Sequence, residues 1–195
     1  MKRIILAAAL ILIAFAANAE DHPKFRAGIL ANFSDYDGDS TFPVADSSLG
    51  LQLYAQGQVS TNFAVEVGYF HSGGYETDLS PNTQPADCQV QDFCDTELSL
   101  NGFSISAVGY LPIGGDDNNI DLFGKIGAYD FDIDIYQTVS NSTLPGSLGH
   151  STSFTVGIGA IFNLGENFGV RTGADYYDIE NADLWSLTMG LEYHF

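Results

Sequence analysis

Apolar and polar side chains alternate along this chain with period two, the spacing of β-strands rather than helices. Eight such segments follow one another: about Lys24 to Ser34, Ser48 to Val59, Phe63 to His71, Leu98 to Leu111, Ile120 to Tyr129, Ser151 to Leu164, Phe168 to Tyr177 and Trp185 to Phe195. One face of each is built from Phe, Leu, Ile, Val, Ala and Tyr, as in Phe25, Ala27, Ile29, Ala31 and Phe33 of the first segment. The other face carries Gln, Ser, Thr, Gly and a few charges. Short connections with turn residues, such as Ser60-Thr61-Asn62 and Gly165-Glu166-Asn167, alternate with long polar ones at Asp35 to Ser47, Ser72 to Glu97, Asp130 to His150 and Asp178 to Leu184.

The cations decide which face points where. Arg26, Lys125 and Arg171 share the polar faces with Glu66, Asp175 and Glu192. A soluble barrel keeps charge outside and apolar side chains inside; this chain reverses that order. The pattern therefore predicts an all-β fold, an eight-stranded antiparallel transmembrane β-barrel with short periplasmic turns and four long extracellular loops. Chain direction at about 3.3 Å per residue places Arg26, Glu66, Lys125, Arg171 and Glu192 in one layer of the lumen, with Asp175 higher as a third anion. Neighbouring strands suggest a row Arg26–Glu192–Arg171, with Glu66 and Lys125 meeting it across the interior. A lumen filled in this way disfavours a general diffusion pore.

The start of the chain adds a compartment. Lys2 and Arg3, the apolar stretch Ile4 to Ala17 and the small-x-small site Ala17-Asn18-Ala19 read as a signal peptide over residues 1–19, leaving 20–195 as one barrel domain. Without the leader, four basic residues face twenty-five acidic ones, which excludes nucleic acid as a partner. In an exported protein Cys88 and Cys94 are expected to form a local disulfide.

At the terminus Leu191-Glu192-Tyr193-His194-Phe195, the chain resembles the small bacterial outer-membrane β-barrel family, which includes the transmembrane domain of outer membrane protein A. Gly102 to Pro112, Asp121 to Tyr129 and Phe154 to Tyr177 are similar to it as well. The resemblance implies that the barrel-assembly machinery recognises Tyr193 and Phe195, and that the lumenal Arg, Lys and Glu residues pair. It implies residence in a Gram-negative outer membrane, among lipid and lipopolysaccharide, as a monomer. A peptidoglycan-binding domain is not expected after the barrel.

The function expected is non-enzymatic: envelope integrity or surface contact with an unidentified extracellular ligand, through acidic loops and without a cofactor. Two alternatives differ in class, a lipid A-modifying enzyme and a narrow channel or small-ligand carrier. For the enzyme, His150, Ser151 and Ser153 are the candidate residues, without an identifiable orienting carboxylate. Asp35, Asp37 and Asp39 alternate, with Asp46 further on, but Ser40 stands where a calcium loop needs Gly. Phe25, Phe63, Tyr69, Phe168, Trp185, Tyr193 and Phe195 suit aromatic girdles at the membrane interfaces.

Overall fold

Strands form wherever the period-two pattern persists, because each presents one side to hydrocarbon and one to the lumen. The computed structural model describes residues 25–38, 47–77, 94–113, 120–139, 142–179 and 182–195. The leader, Cys88, Asp39 and Asp46 lie outside these residues. The strands are β1 (Phe25–Gly38), β2 (Ser47–Ser60), β3 (Phe63–His71), β4 (Tyr75–Thr77), β5 (Cys94–Ile113), β6 (Ile120–Val139), β7 (Ser142–Asn163), β8 (Phe168–Ile179) and β9 (Ala182–His194). Every neighbour is antiparallel, β1 pairs with β9, and a β3–β5 pairing closes the sheet. β3 and β4 both pair with β5 and together make one stave, so the barrel is eight-stranded. At the break between them, Ser72 holds the edge through Ser72 N–H to Leu100 O and Leu100 N–H to Ser72 Oγ, both 2.8 Å.

The register fixes the shape. Paired residues lead from Arg26 through Gln56, Glu66, Ser106, Gly127, Thr155, Tyr177 and Leu184 back to β1 at Tyr36, ten residues further on. A shear of ten over eight strands gives a tilt of about 40° and a wall about 8 Å from the axis. It also makes each hydrogen-bonded row climb by about 3 Å per strand.

Outside, the surface is apolar: Ile29, Phe33, Leu49, Leu53, Ile126 and Ile158 are exposed. Along β9, Trp185, Leu187, Met189, Leu191 and Tyr193 all face outward, followed by Phe195. Ten residue steps at that tilt span about 25 Å, the height of an outer-membrane hydrocarbon band. Aromatic rings border it. At the end carrying the termini, Phe168–Tyr193 and Tyr193–Phe195 stack at 5.1 and 4.8 Å between centroids; at the opposite, loop-bearing end, Tyr176–Trp185 and Tyr69–Phe103 stack at 4.9 and 5.0 Å.

The strands reach further at the loop-bearing end than the sequence suggested. Residues 130–139 and 142–150, expected as a loop, extend the β6–β7 hairpin, and β8 and β9 run on to Ile179 and from Ala182. The reason is visible in Asp130-Phe131-Asp132-Ile133-Asp134-Ile135: the alternation continues while the outward residues become acidic. Phe131 is fully buried inside and Ile133 packs partly against the same cluster. A bulge where Ile133 and Asp134 face Gly149 and Ser147 interrupts the extension, with Gly149 at φ +135°.

Candidate functional site

Inward side chains build the lumen in three tiers, which differ in chemistry. The tier nearest the termini holds the charges. Glu66 of β3 sits fully buried with Arg171 Nη1 at 2.8 Å and Lys125 Nζ at 3.5 Å, and Gln56 Nε2 donates to it at 2.6 Å. Lys125 Nζ also meets Asp175 Oδ2 at 3.0 Å. Glu192 of β9, also fully buried, accepts from Arg26 Nη1 at 3.3 Å and from Tyr54 O–H at 2.5 Å, with His194 Nε2 at 2.6 Å. Arg26 Nη2 continues to Asp121 Oδ2 at 3.3 Å.

Two tyrosines interlock the carboxylate clusters. Tyr54 donates to Glu192, while its ring lies 4.3 Å from the guanidinium carbon of Arg171, the partner of Glu66. Tyr110 donates to Gln56 Oε1 at 2.5 Å, on the Glu66 side, while its ring faces Arg26, the partner of Glu192, at 5.0 Å. Phe123 covers another face of Arg171 at 4.2 Å. Each arginine is thus held by a carboxylate and by at least one aromatic face in a desolvated setting, where cation–π contact is strongest. Removing one partner of a buried pair costs about 3–5 kcal/mol because the other charge is stranded.

All six lumenal charges singled out in the sequence face inward and are buried. Their partnering differs from the expected row. Arg171 makes no ion pair with Glu192; it crosses the lumen from β8 to Glu66 on β3. Register puts Arg171 opposite Gly190, two residues above Glu192, and Tyr54 takes the second oxygen of Glu192. Asp121, Tyr54, Tyr110, Phe123, Gln56 and His194 were not singled out. Their inward parity was the available signal, but partner choice across the lumen depends on the shear.

Glycines create the passages between strands. Gly28 lies in one row between Glu192 and Tyr54, and a Cβ there would come within 2.4 Å of the Tyr54 ring. Gly157 lies likewise between Lys125 and Asp175, and its Cβ would sit 2.0 Å from Asp175 Oδ1. In both rows a long side chain reaches its partner across a residue that has none.

Above the charges comes a tier of smaller polar residues, among them Asn32, Gln52, Thr155, Ser186 and Thr188, all buried. Five atoms here have no hydrogen-bond partner among the described residues: Asn32 Nδ2 and Oδ1, Gln52 Oε1, Thr155 Oγ1 and Ser186 Oγ. At about 1–3 kcal/mol for each unmet group, leaving all five dry would offset much or all of a typical folding stability of about 5–15 kcal/mol. The third tier closes the loop-bearing end with an apolar cluster of Phe70, Tyr75, Leu98, Leu100, Tyr129, Phe131, Tyr177 and Leu184. Its rings interlock, with Tyr129–Tyr177 at 5.0 Å and Phe70–Tyr129 at 5.9 Å.

Along the chain, charge is distributed one-sidedly. Segments 35–48, 72–101, 130–153 and 176–186 together hold sixteen Asp and Glu residues and no Lys or Arg. Asp130 accepts from Thr152 Oγ1 at 3.3 Å on the outer surface, and His71 hydrogen-bonds Asn101 nearby. His150 stands in register with Asp132, whereas Ser153 is buried in the lumen and Ser151 pairs with inward Phe131. Of the two cysteines, Cys94 opens β5.

Residues 4–195 match the family described as outer membrane protein beta-barrel domain. No curated protein matches the chain significantly. Among solved structures, Ail of Yersinia pestis in complex with the heparin analogue sucrose octasulfate superposes with a TM-score of 0.61 at 16% identity, covering 90% of this chain and 100% of Ail. Neisserial surface protein A gives 0.59 at 14%, over 89% and 100%. OprG from Pseudomonas aeruginosa gives 0.55 at 17%, over 89% and 96%. At these identities the likeness is one of fold.

Proposed function

The chain belongs to the outer membrane protein β-barrel domain family, and from that premise we propose that it is a non-enzymatic surface protein of a Gram-negative outer membrane. Its working part is the loop-bearing end, which contacts partners outside the cell. The observation that carries this reading is the charge of the segments around the four long connections, sixteen carboxylates and not one Lys or Arg in sequence, together with a β6–β7 hairpin that continues well past the aromatic girdle. Such a surface repels polyanions and attracts cationic or neutral partners. The sulfated ligand of Ail is therefore not carried over to this chain, because those segments offer no Lys or Arg to hold it.

The lumen supports the same reading from the other side. A buried ion-pair tier and an aromatic plug in series oppose a conducting pore, the channel alternative. Residues 1–19 serve as the export leader, 20–195 as the barrel, Cys88 and Cys94 as a loop-stiffening disulfide, and Tyr193 with Phe195 as the assembly signal. The outward, exposed Tyr193 and Phe195 and the closing bond from Phe195 N–H to Phe25 O at 2.9 Å support that last role.

Cells displaying the protein, with or without residues 78–93, test the proposal against polylysine-coated and heparin-coated surfaces over a salt series. Adhesion to the cationic surface that falls with salt is expected, with none to heparin. Adhesion to heparin, loss of lipid A acyl chains on expression, or single-channel steps in planar bilayers would each replace it.

A further inference from the structure

We infer that a lumenal cluster at the joint of the first and last strands is a register key, which selects the shear of ten when the barrel closes. Every other joint links staves that follow one another along the chain, so a connecting segment limits its register. β1 and β9 meet without one, in continuous register from Arg26↔His194 to Gly38↔Ala182. A slip of one residue is forbidden, because it would turn Glu192 toward hydrocarbon. A slip of two keeps both faces and moves β9 by about 6.6 Å along β1. The lipid side does not discriminate between these closures. There Ala27, Ile29, Ala31 and Phe33 face Tyr193, Leu191, Met189 and Leu187, apolar against apolar, and remain so after an offset of two.

Selection therefore falls to the lumen. Arg26 and Tyr54 stand on the β1–β2 side of the joint, Glu192 and Arg171 on the β8–β9 side, and all four are at most 8% exposed. Three contacts cross it: Arg26 Nη1 to Glu192 Oε1 at 3.3 Å, Tyr54 O–H to Glu192 Oε2 at 2.5 Å, and the Tyr54 ring to the Arg171 guanidinium carbon at 4.3 Å. The neighbouring closures, with shears of eight and twelve, each break this set. Toward twelve, Glu192 would lie opposite Leu30, a buried apolar side chain, and its carboxylate would lose Arg26 and Tyr54 together. Toward eight, Glu192 would lie directly opposite Arg26 and keep that ion pair. Gly190 would then replace Glu192 in the row of Gly28 and Tyr54, so the buried hydroxyl loses its acceptor. Arg171 would also drop about 4 Å along the axis relative to the Tyr54 ring. Arg26 thus rejects one slip and Tyr54 rejects both. The key is separate from the outward Tyr193 and Phe195, and it holds whatever the loops bind.

Disulfide trapping reads the register directly. The bond needs Cα atoms within about 7 Å, which opposite residues satisfy and residues offset by two, at about 8 Å, do not. In protein carrying Cys88→Ser and Cys94→Ser, refolded into micelles, Ala31→Cys is combined with Leu187→Cys, Met189→Cys or Leu191→Cys, which report shears of eight, ten and twelve. With the native lumen, only the Ala31–Met189 pair is expected to oxidise. Tyr54→Leu is expected to divert part of the trapping to Leu187, and Glu192→Ala part of it to Leu187 or Leu191. Asp175→Ala removes a buried carboxylate whose partner Lys125 lies on β6, away from the joint, and should leave trapping at Met189 alone. Trapping at Met189 alone in either key variant would overturn the inference. So would slipped products in the native lumen or in Asp175→Ala. Where Tyr54→Leu or Glu192→Ala does not refold, Tyr54→Phe and Glu192→Gln carry the same arms.

Discussion

Tyr54 reaches Glu192 across Gly28: its hydroxyl donates to Glu192 Oε2 at 2.5 Å, while its ring supports Arg171 at 4.3 Å. One side chain thus serves both carboxylate clusters, through its polar tip to one and its π-face to the cation of the other. The two functions are separable by substitution. Tyr54→Phe keeps the ring and removes the hydrogen bond to a buried carboxylate, an expected loss of about 1.5–3 kcal/mol. Tyr54→Leu should lose more, because Arg171 then also loses an aromatic face. Urea unfolding in micelles measures both, and equal losses would disprove the double role.

Buried and exposed carboxylates should differ sharply. Glu66→Ala leaves Arg171 and Lys125 facing each other without their shared anion and is expected to cost about 3–5 kcal/mol. Glu192→Ala leaves Arg26 with Asp121 as its remaining anion and takes the acceptor from the buried Tyr54 hydroxyl, and is expected to cost a similar amount. Asp130→Ala and Asp178→Ala, at the surface, should stay within about 0.5 kcal/mol. Similar unfolding midpoints for all four variants would show that the lumenal charges are solvated and not paired.

Gly157→Ala places a methyl group where Asp175 and Lys125 meet, 2.0 Å from Asp175 Oδ1. The backbone there is ordinary strand, so the effect is steric rather than conformational. Strong destabilisation of about 2–4 kcal/mol is expected. Gly124→Ala, on the outward side of β6 where its Cβ would meet only Gly157 O at 4.0 Å, should be neutral or slightly stabilising. A reversed order in thermal melts of the refolded proteins would contradict the inward packing of Gly157.

The two seals should act in series on ion flow. Native protein in a planar bilayer is expected to pass no resolvable current. Phe131→Ala alone, or Lys125→Ala with Arg171→Ala alone, should also remain closed, since each leaves one seal in place. The combination is expected to conduct. Steady conductance from either half by itself would show that the remaining seal is not tight.

Much of the fold was legible because a β-strand has an integral period. Parity along Arg26 to Asn32, or along Leu187 to Phe195, assigns every side chain to lipid or lumen without knowledge of its neighbours. The same alternation runs on through Asp130 to Ile135, where acidic residues on the outward face give the strand the composition of a loop. The candidate charges were legible by the same rule. Their partners were not, and neither was the aromatic plug, whose members are spread from Phe70 to Leu184 and carry no shared motif.

By itself, the sequence determined the strands, their two faces, and the reversal of polarity that puts cations inside an apolar shell. It did so because those properties depend only on alternation within a segment. Tertiary structure alone decided that Arg171 pairs with Glu66, that Tyr54 and Tyr110 interlock the clusters, and that rings seal the loop-bearing end. Those outcomes follow from the shear of ten, which sets the height at which distant residues meet, and shear is a property of the closed sheet and not of any single strand.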